Sequence, residues 1–208
     1  MNIHKLSSVQ LDVLREIGNI GAGNAATSMA KLIQKQIDMD VPSVDIVTFD
    51  EMIDMIGGPE QLIVSMYFDI TGEAPGTVYF ILTIEEAEIL LSQMFDESRK
   101  IIQDGEVDDI SISALQESGN ILTGSYLTAL ADFINLSMQP SIPYLSIDMA
   151  GAVLTAGLTE LLHISDYAIV INTAIGETHN GLNGHFFYLP NPETLLTIFT
   201  ALGVKTDD

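Results

Sequence analysis

Apolar residues along the chain recur first at helical spacing and then in alternation, and this succession of periods occurs twice. Leu11, Leu14, Ile17, Ile20, Met29 and Leu32 fall on one helical face and predict a helix from about Val9 to Lys35, capped by Ser7 or Ser8. Gly18, Gly21 and Gly23 each weaken that helix by about 1 kcal/mol relative to Ala, so a neighbouring element is expected to pack closely against it. From Ile37 the pattern alternates through Met39, Val41, Val44, Ile46 and Thr48, predicting a strand bent or interrupted at Pro42. Glu51–Ile56 reads as a short helix closed by Gly57-Gly58-Pro59. Leu62–Ile70 and Gly76–Thr83 read as a hairpin around Thr71–Pro75, followed by an amphipathic helix, Glu85–Phe95, with Thr83 as its cap.

The second half repeats that order. Asp109–Leu136 is the long helix, Leu136–Ile147 the strand, here with Pro143, and Met149–Leu162 a largely apolar helix. Ala168–Ala174 and Gly184–Leu189 form the hairpin, and Pro192–Leu202 the last helix. The duplication is also literal: Glu16-Ile17-Gly18-Asn19-Ile20 returns 101 residues later as Glu117-Ser118-Gly119-Asn120-Ile121. The match continues through Gly23/Gly124, Thr27/Thr128, Ala30/Ala131 and Ile33/Ile134. A period of about half the chain implies two copies of one unit rather than a solenoid. The expected organisation is one domain, 1–208, of two repeats (about 7–96 and 108–204) joined by an acidic connector, 97–107. The fold class is α/β with antiparallel pairing and an approximate twofold axis.

Composition narrows the function classes. The chain has 208 residues, nearly half of them apolar, enough for a sizeable core. The longest apolar run, Met149–Leu158, is about half of what a membrane helix requires. The N-terminus has no secretion-signal pattern, and a soluble cytoplasmic protein is expected. There are no cysteines, which excludes disulfides, thiolate catalysis and Cys-based zinc sites. The net charge of −22 repels nucleic acid and anionic lipid. It serves either solubility in the host's environment or steering toward a basic docking surface.

The remaining motifs differ in weight. Gly18–Asn24 lacks both the preceding strand of a dinucleotide fingerprint and the Gly-Lys-Ser/Thr of a Walker loop. His4, His163, His179 and His185 have no metal-ligand spacing and read as surface or loop residues; no metal is expected. The Glu–Asn pairs carry the chemistry. Residues three apart share a helix face, so Glu16 projects with Asn19 and Glu117 with Asn120, with Asp12 and Ser113 one turn earlier. Flanking residues differ between the copies while acid and amide do not. The glycine beside each Asn, Gly18 or Gly119, keeps the backbone slim, and room for another protein to approach is expected there. An amide deprotonates nothing near neutral pH, but it accepts and donates hydrogen bonds and so orients a water molecule. That suffices for phosphoryl transfer from an activated acyl phosphate, where positioning dominates catalysis.

The spaced pattern Asp12…Glu16…Asn19…Pro42, repeated as Ser113…Glu117…Asn120…Pro143, resembles the CheC/CheX/FliY family of chemotaxis phosphatases, and its CheC branch most closely. The resemblance spans nearly the whole chain. It implies a pseudo-twofold fold with two long motif helices packed on an extended, largely antiparallel sheet. It implies hydrolysis of the aspartyl phosphate of the response regulator CheY, with Asn19 and Asn120 orienting water and Glu16 and Glu117 pairing with a receiver lysine. Asp12 and Ser113 would support the helix face, and Pro42 and Pro143 would shape the following strand. The chain would carry no cofactor, the magnesium residing on the partner, and would act as a monomer. CheD, a receptor deamidase, is the second implied partner, and the alternative function is a module that sequesters it. Met149–Leu158 is a candidate CheD surface and equally a core segment.

Overall fold

The structure, a computed structural model, describes residues 7–34, 36–95, 100–103, 106–161, 167–175 and 182–201. The elements of the first half are α1 (Ser8–Ile33), β1 (Met39–Thr48), α2 (Phe49–Met55), β2 (Leu62–Gly72), β3 (Gly76–Thr83) and α3 (Ile84–Phe95). A two-residue ribbon, β4 (Ile102–Gln103) with β5 (Glu106–Val107), follows in the segment read as a plain connector. The second half comprises α4 (Asp109–Ile134), β6 (Met138–Pro140), β7 (Tyr144–Met149), α5 (Ala150–Leu161), β8 (Tyr167–Ile175), β9 (Leu182–Pro190) and α6 (Pro192–Ala201).

Helix starts follow local chemistry. Ser7 accepts from the backbone of Gln10 while the Gln10 side chain reaches back to Ser7, a reciprocal cap that satisfies two orphan donors. Thr48 with Glu51 caps α2 in the same way, and Thr83 with Glu86 caps α3 as its position predicted. The two long helices also end alike. Gln34 and Asn135, which are 101 residues apart, both take the left-handed conformation that ends a helix, with φ of 55° and 56°.

The sheet shows the duplication directly. Its strands run β1-β8-β9-β3-β2, with β6 and β7 sharing the outer edge of β2, and every pairing is antiparallel. Exchanging the halves reverses this order onto itself, so the pseudo-twofold axis passes between β3 and β9. The first strand of each half pairs with the hairpin of the other, β1 on β8 and β7 on β2. Neither half therefore contains all the partners its strands use.

Both faces of the sheet are covered, which is why β2 and β3 read as nearly continuous apolar runs. Val64, Met66, Phe68 and Ile70 face a core under α1, α3 and α4. Ile63 faces a second core, with Tyr79, Phe187, Met52 of α2 and Leu154 of α5. The helices α1 and α4 lie against each other, and a Cβ on Gly21 would sit 2.9 Å from the Cα of Tyr126. Tyr126 is pinned in turn by its hydroxyl, 2.8 Å from Thr173 Oγ1, and by edge-on packing against Phe186.

Two sequence expectations need correction. The strand expected over Leu136–Ile147 is split into β6 and β7, because Pro140 and Pro143 remove two backbone donors within four residues. The counterpart β1 has only Pro42 and stays continuous, with a register shift between Asp40 and Ser43. His185 is not a surface or loop residue: it lies in β9, half-buried, with Nδ1 2.8 Å from Asn172 Oδ1, and burial lowers its pKa. His4, His163 and His179 lie outside the described residues.

Candidate active site

Helical periodicity places the acid–amide pairs. Leu14, Ile17, Gly18, Gly21, Ala22, Ala25 and Met29 turn one side of α1 into the core, which leaves Glu16 on the outward ridge with Asn19 beside it. On α4 the buried set includes Leu115, Ser118, Gly119, Leu122 and Tyr126, and Glu117 and Asn120 are exposed. Among the described residues neither Glu16 nor Glu117 makes an ion pair or hydrogen bond, so both carboxylates are available to an external cation. The flanking motif residues are spent on their own helices. Asp12 pairs with Arg15 at 3.0 Å, both substantially exposed, and Ser113 donates to the carbonyl of Asp109 at 2.9 Å.

The two amides differ. Asn19 is half-buried, and its Oδ1 accepts from the backbone N–H of Val41 at 2.9 Å. The cause lies in β1. One extra residue is accommodated between Asp40 and Ser43, Pro42 has no N–H, and the Val41 N–H turns toward α1, where Asn19 satisfies it. With one lone pair of Oδ1 occupied, the Asn19 amide keeps its two N–H donors and a second lone pair. Asn120 is exposed and has no hydrogen-bond partner among the described residues; its counterpart loop holds Ile142, 87% exposed, and half-buried Pro143. Asn19→Ala is therefore expected to cost about 1–3 kcal/mol of stability by orphaning a buried N–H. Asn120→Ala is expected to stay within about 0.5 kcal/mol. Urea unfolding of the two single variants tests this asymmetry, and equal midpoints would contradict it.

The glycines next to the amides do not open a path to a partner, as the sequence had suggested. Gly18 faces inward, where a Cβ would lie 3.3 Å from the Val41 side chain, and Gly119 would meet Met66 Sδ at 2.6 Å. They let the sheet approach the helix. Gly23 has nothing within 4 Å of where its Cβ would be, contrary to the expectation of close packing along the glycine-bearing face. The role of the Val41 N–H was missed in the sequence, where the same Asn-to-proline spacing occurs in both halves and nothing local sets Asn19 apart from Asn120. Among the described residues no group of three or more His, Cys, Asp or Glu side chains is placed to hold a metal ion. No described helix is long and apolar enough to cross a membrane.

Comparison with known proteins returns the same two segments. The model of the CheC-like family matches residues 9–46 and 110–147, each running from a motif helix into the following strand. The chain is 42% identical over 94% of its length, and 95% of the relative's, to a Bacillus subtilis protein named CheY-P phosphatase CheC. It is 26% identical over 68% of its length to the Bacillus subtilis flagellar motor switch phosphatase FliY, covering 36% of that longer protein. The crystal structure of Thermotoga maritima FliY superposes with a TM-score of 0.70 at 20% identity, covering 97% of this chain and 99% of that one, and so shares its fold. With this identity to a relative of matching length, and the motif of each half inside a matched segment, the chain belongs to the CheC-like family.

Proposed function

We propose that this protein is a phosphatase of phosphorylated CheY that hydrolyses the aspartyl phosphate by placing the attacking water. The observation that carries the reading is the pair of acid–amide ridges on matched helices, with Glu16, Glu117 and Asn120 exposed and Asn19 half-buried beside Glu16. The close relative named a CheY-P phosphatase supports the substrate. An acyl phosphate is already activated, and the receiver's own magnesium neutralises its oxygens, so the chain need supply only positioning. The amide of Asn19 or Asn120 holds a water in line with the acyl–phosphate bond. The water oxygen attacks phosphorus, the bond to the aspartyl oxygen breaks, and aspartate and inorganic phosphate leave, with the water proton passing to the phosphate or solvent. Glu16 and Glu117 bind a receiver ammonium and fix the register of docking.

Two independent surfaces on one polypeptide make a monomer sufficient. Phosphate release from phosphorylated CheY, with and without the protein, is the direct test: an unchanged rate refutes the reading. CheD is proposed as a second partner, on the likeness to CheC proteins. Within the candidate segment Met149–Leu158, Ala150 and Leu154 are wholly buried in the second core, and Met149, Ala152 and Thr155 are its exposed positions among the described side chains. Co-elution with CheD that is unchanged by Ala152→Glu with Thr155→Glu would exclude that surface.

A further inference from the structure

The two motif helices have diverged at most of their buried positions and stayed alike along one outward-facing run, which is the opposite of what core packing selects. Of the seven positions buried in α1, Leu14 and Gly18 recur at Leu115 and Gly119. The other five are replaced: Ile17 by Ser118, Gly21 by Leu122, Ala22 by Thr123, Ala25 by Tyr126 and Met29 by Leu130. Along the outward ridge, Glu16, Asn19, Ile20, Gly23 and Thr27 are all retained as Glu117, Asn120, Ile121, Gly124 and Thr128. Of these Asn19 and Gly124 are half-buried, and Ile121 is half-buried against the first core. Positions to either side of that ridge differ, as in Arg15/Gln116 and Asn24/Ser125. The same face differs one turn before and after the retained run, at Asp12/Ser113 and the charge reversal Lys31/Asp132.

Three of these residues make no sense within the monomer. Gly23 and Gly124 sit in helix interiors, where Gly costs about 1 kcal/mol against Ala, yet apart from its own stretch of helix backbone neither has an atom within 4 Å of its absent Cβ. No packing inside the molecule requires them. Ile20, 54% exposed, sits between the amide and the glycine and, among the described residues, packs against neither core. Beyond them Thr27 and Thr128 donate to the carbonyls of Gly23 and Gly124, at 2.9 and 2.7 Å, so the same notch with the same rim is built twice.

We infer that the docking footprint of the phosphorylated receiver continues past the acid–amide pair along each helix, with Gly23 and Gly124 as a notch that admits the receiver's backbone and, on α1, the exposed Ile20 as apolar contact. Its counterpart Ile121 is half-buried against the core. From Glu16 to Thr27 the footprint is about 16 Å long at 1.5 Å per residue. Continuity with the acid–amide pair, one helical turn away, identifies the occupant. The inference rests on the phosphatase reading for its partner, and the test separates the two. The basic rim required on a partner suits a chain of net charge −22.

The variant Gly23→Gln with Gly124→Gln fills both notches with a better helix former, so the fold is not at risk. Steady-state hydrolysis of phosphorylated CheY is expected to show KM raised at least tenfold with kcat within twofold, the signature of lost docking without lost chemistry. Binding of beryllofluoride-activated CheY is expected to weaken by the same factor, with the thermal midpoint not lowered. Asp50→Asn, exposed on α2 over the opposite face of the sheet, is expected to change neither. An unchanged KM and affinity in the filled variant, or an equal loss with Asp50→Asn, overturns the footprint while leaving the phosphatase reading intact. Wild-type binding of activated CheY without hydrolysis overturns the phosphatase reading alone, and the binding arm still decides the footprint. A wild type that does not bind activated CheY overturns both.

Discussion

Replacing both asparagines, Asn19→Ala with Asn120→Ala, is expected to cut phosphate release from phosphorylated CheY by about a hundredfold, the usual cost of removing one orienting group. Each single variant leaves the opposite ridge working and retains a substantial fraction of the rate. The loss belongs in kcat, because a water is oriented in the transition state whereas the receiver is held by the rest of the ridge. Asn19→Ala also removes the acceptor of the Val41 N–H, so its rate is to be read beside its melting curve. Asn19→Asp separates the two roles. A carboxylate still accepts from Val41, but it offers no donors, so stability is kept and turnover at that ridge is lost. Wild-type rates in the double variant would remove the amides from the mechanism. Complete loss in either single variant would show that the two ridges do not act independently.

The second large effect is structural. Gly21→Leu, which copies into α1 the residue that the second half carries at Leu122, is expected to destabilise the protein by about 3 kcal/mol or more. The reason is the crossing of α1 and α4. A Cβ at position 21 would sit 2.9 Å from the Cα of Tyr126, a backbone atom that cannot move aside as a flexible side-chain end can. Pseudo-symmetry supplies the remedy. The counterpart of Gly21 facing Tyr126 is Leu122 with Ala25, both wholly buried, so the small partner is always on α1 and the large one always on α4. Gly21→Leu combined with Tyr126→Ala rebuilds at the first crossing the pair found at the second. It is expected to be more stable than the sum of the two single losses by at least about 1 kcal/mol. Denaturant midpoints of the four proteins in the cycle measure this, and strict additivity would refute the size-matching account.

Much of the fold was legible because it rests on local rules. The 3.6-residue period of α1 and α4, the alternation of β1, and the Ser/Thr caps are short-range preferences that neighbouring residues satisfy among themselves. The acid–amide ridge was legible for a related reason: two residues three apart on a helix share a face whatever the helix packs against. Its outward direction followed from the apolar residues on the other side. The split of the second strand was less visible, since it turned on Pro140 acting together with Pro143, and the effect of removing two ladder donors depends on where the partner strand lies.

What depends on distant residues could not be read along the chain. Which glycines pack and which stand open is one case. Gly18, Gly21 and Gly23 look equivalent in the sequence, but the first meets Val41, the second Tyr126, and the third nothing. The exchange of first strands between the halves is another, because alternation specifies a strand and its faces but not which of several similar edges it joins. The different states of Asn19 and Asn120 are a third. Their sequence contexts match, and only the bulge in β1 turns a free N–H toward one of them. Local periodicity and a duplicated motif therefore established the elements, the repeat and the chemistry on offer. Long-range pairing and packing decided which surfaces are closed, which notch stays open, and which amide is held before a partner arrives.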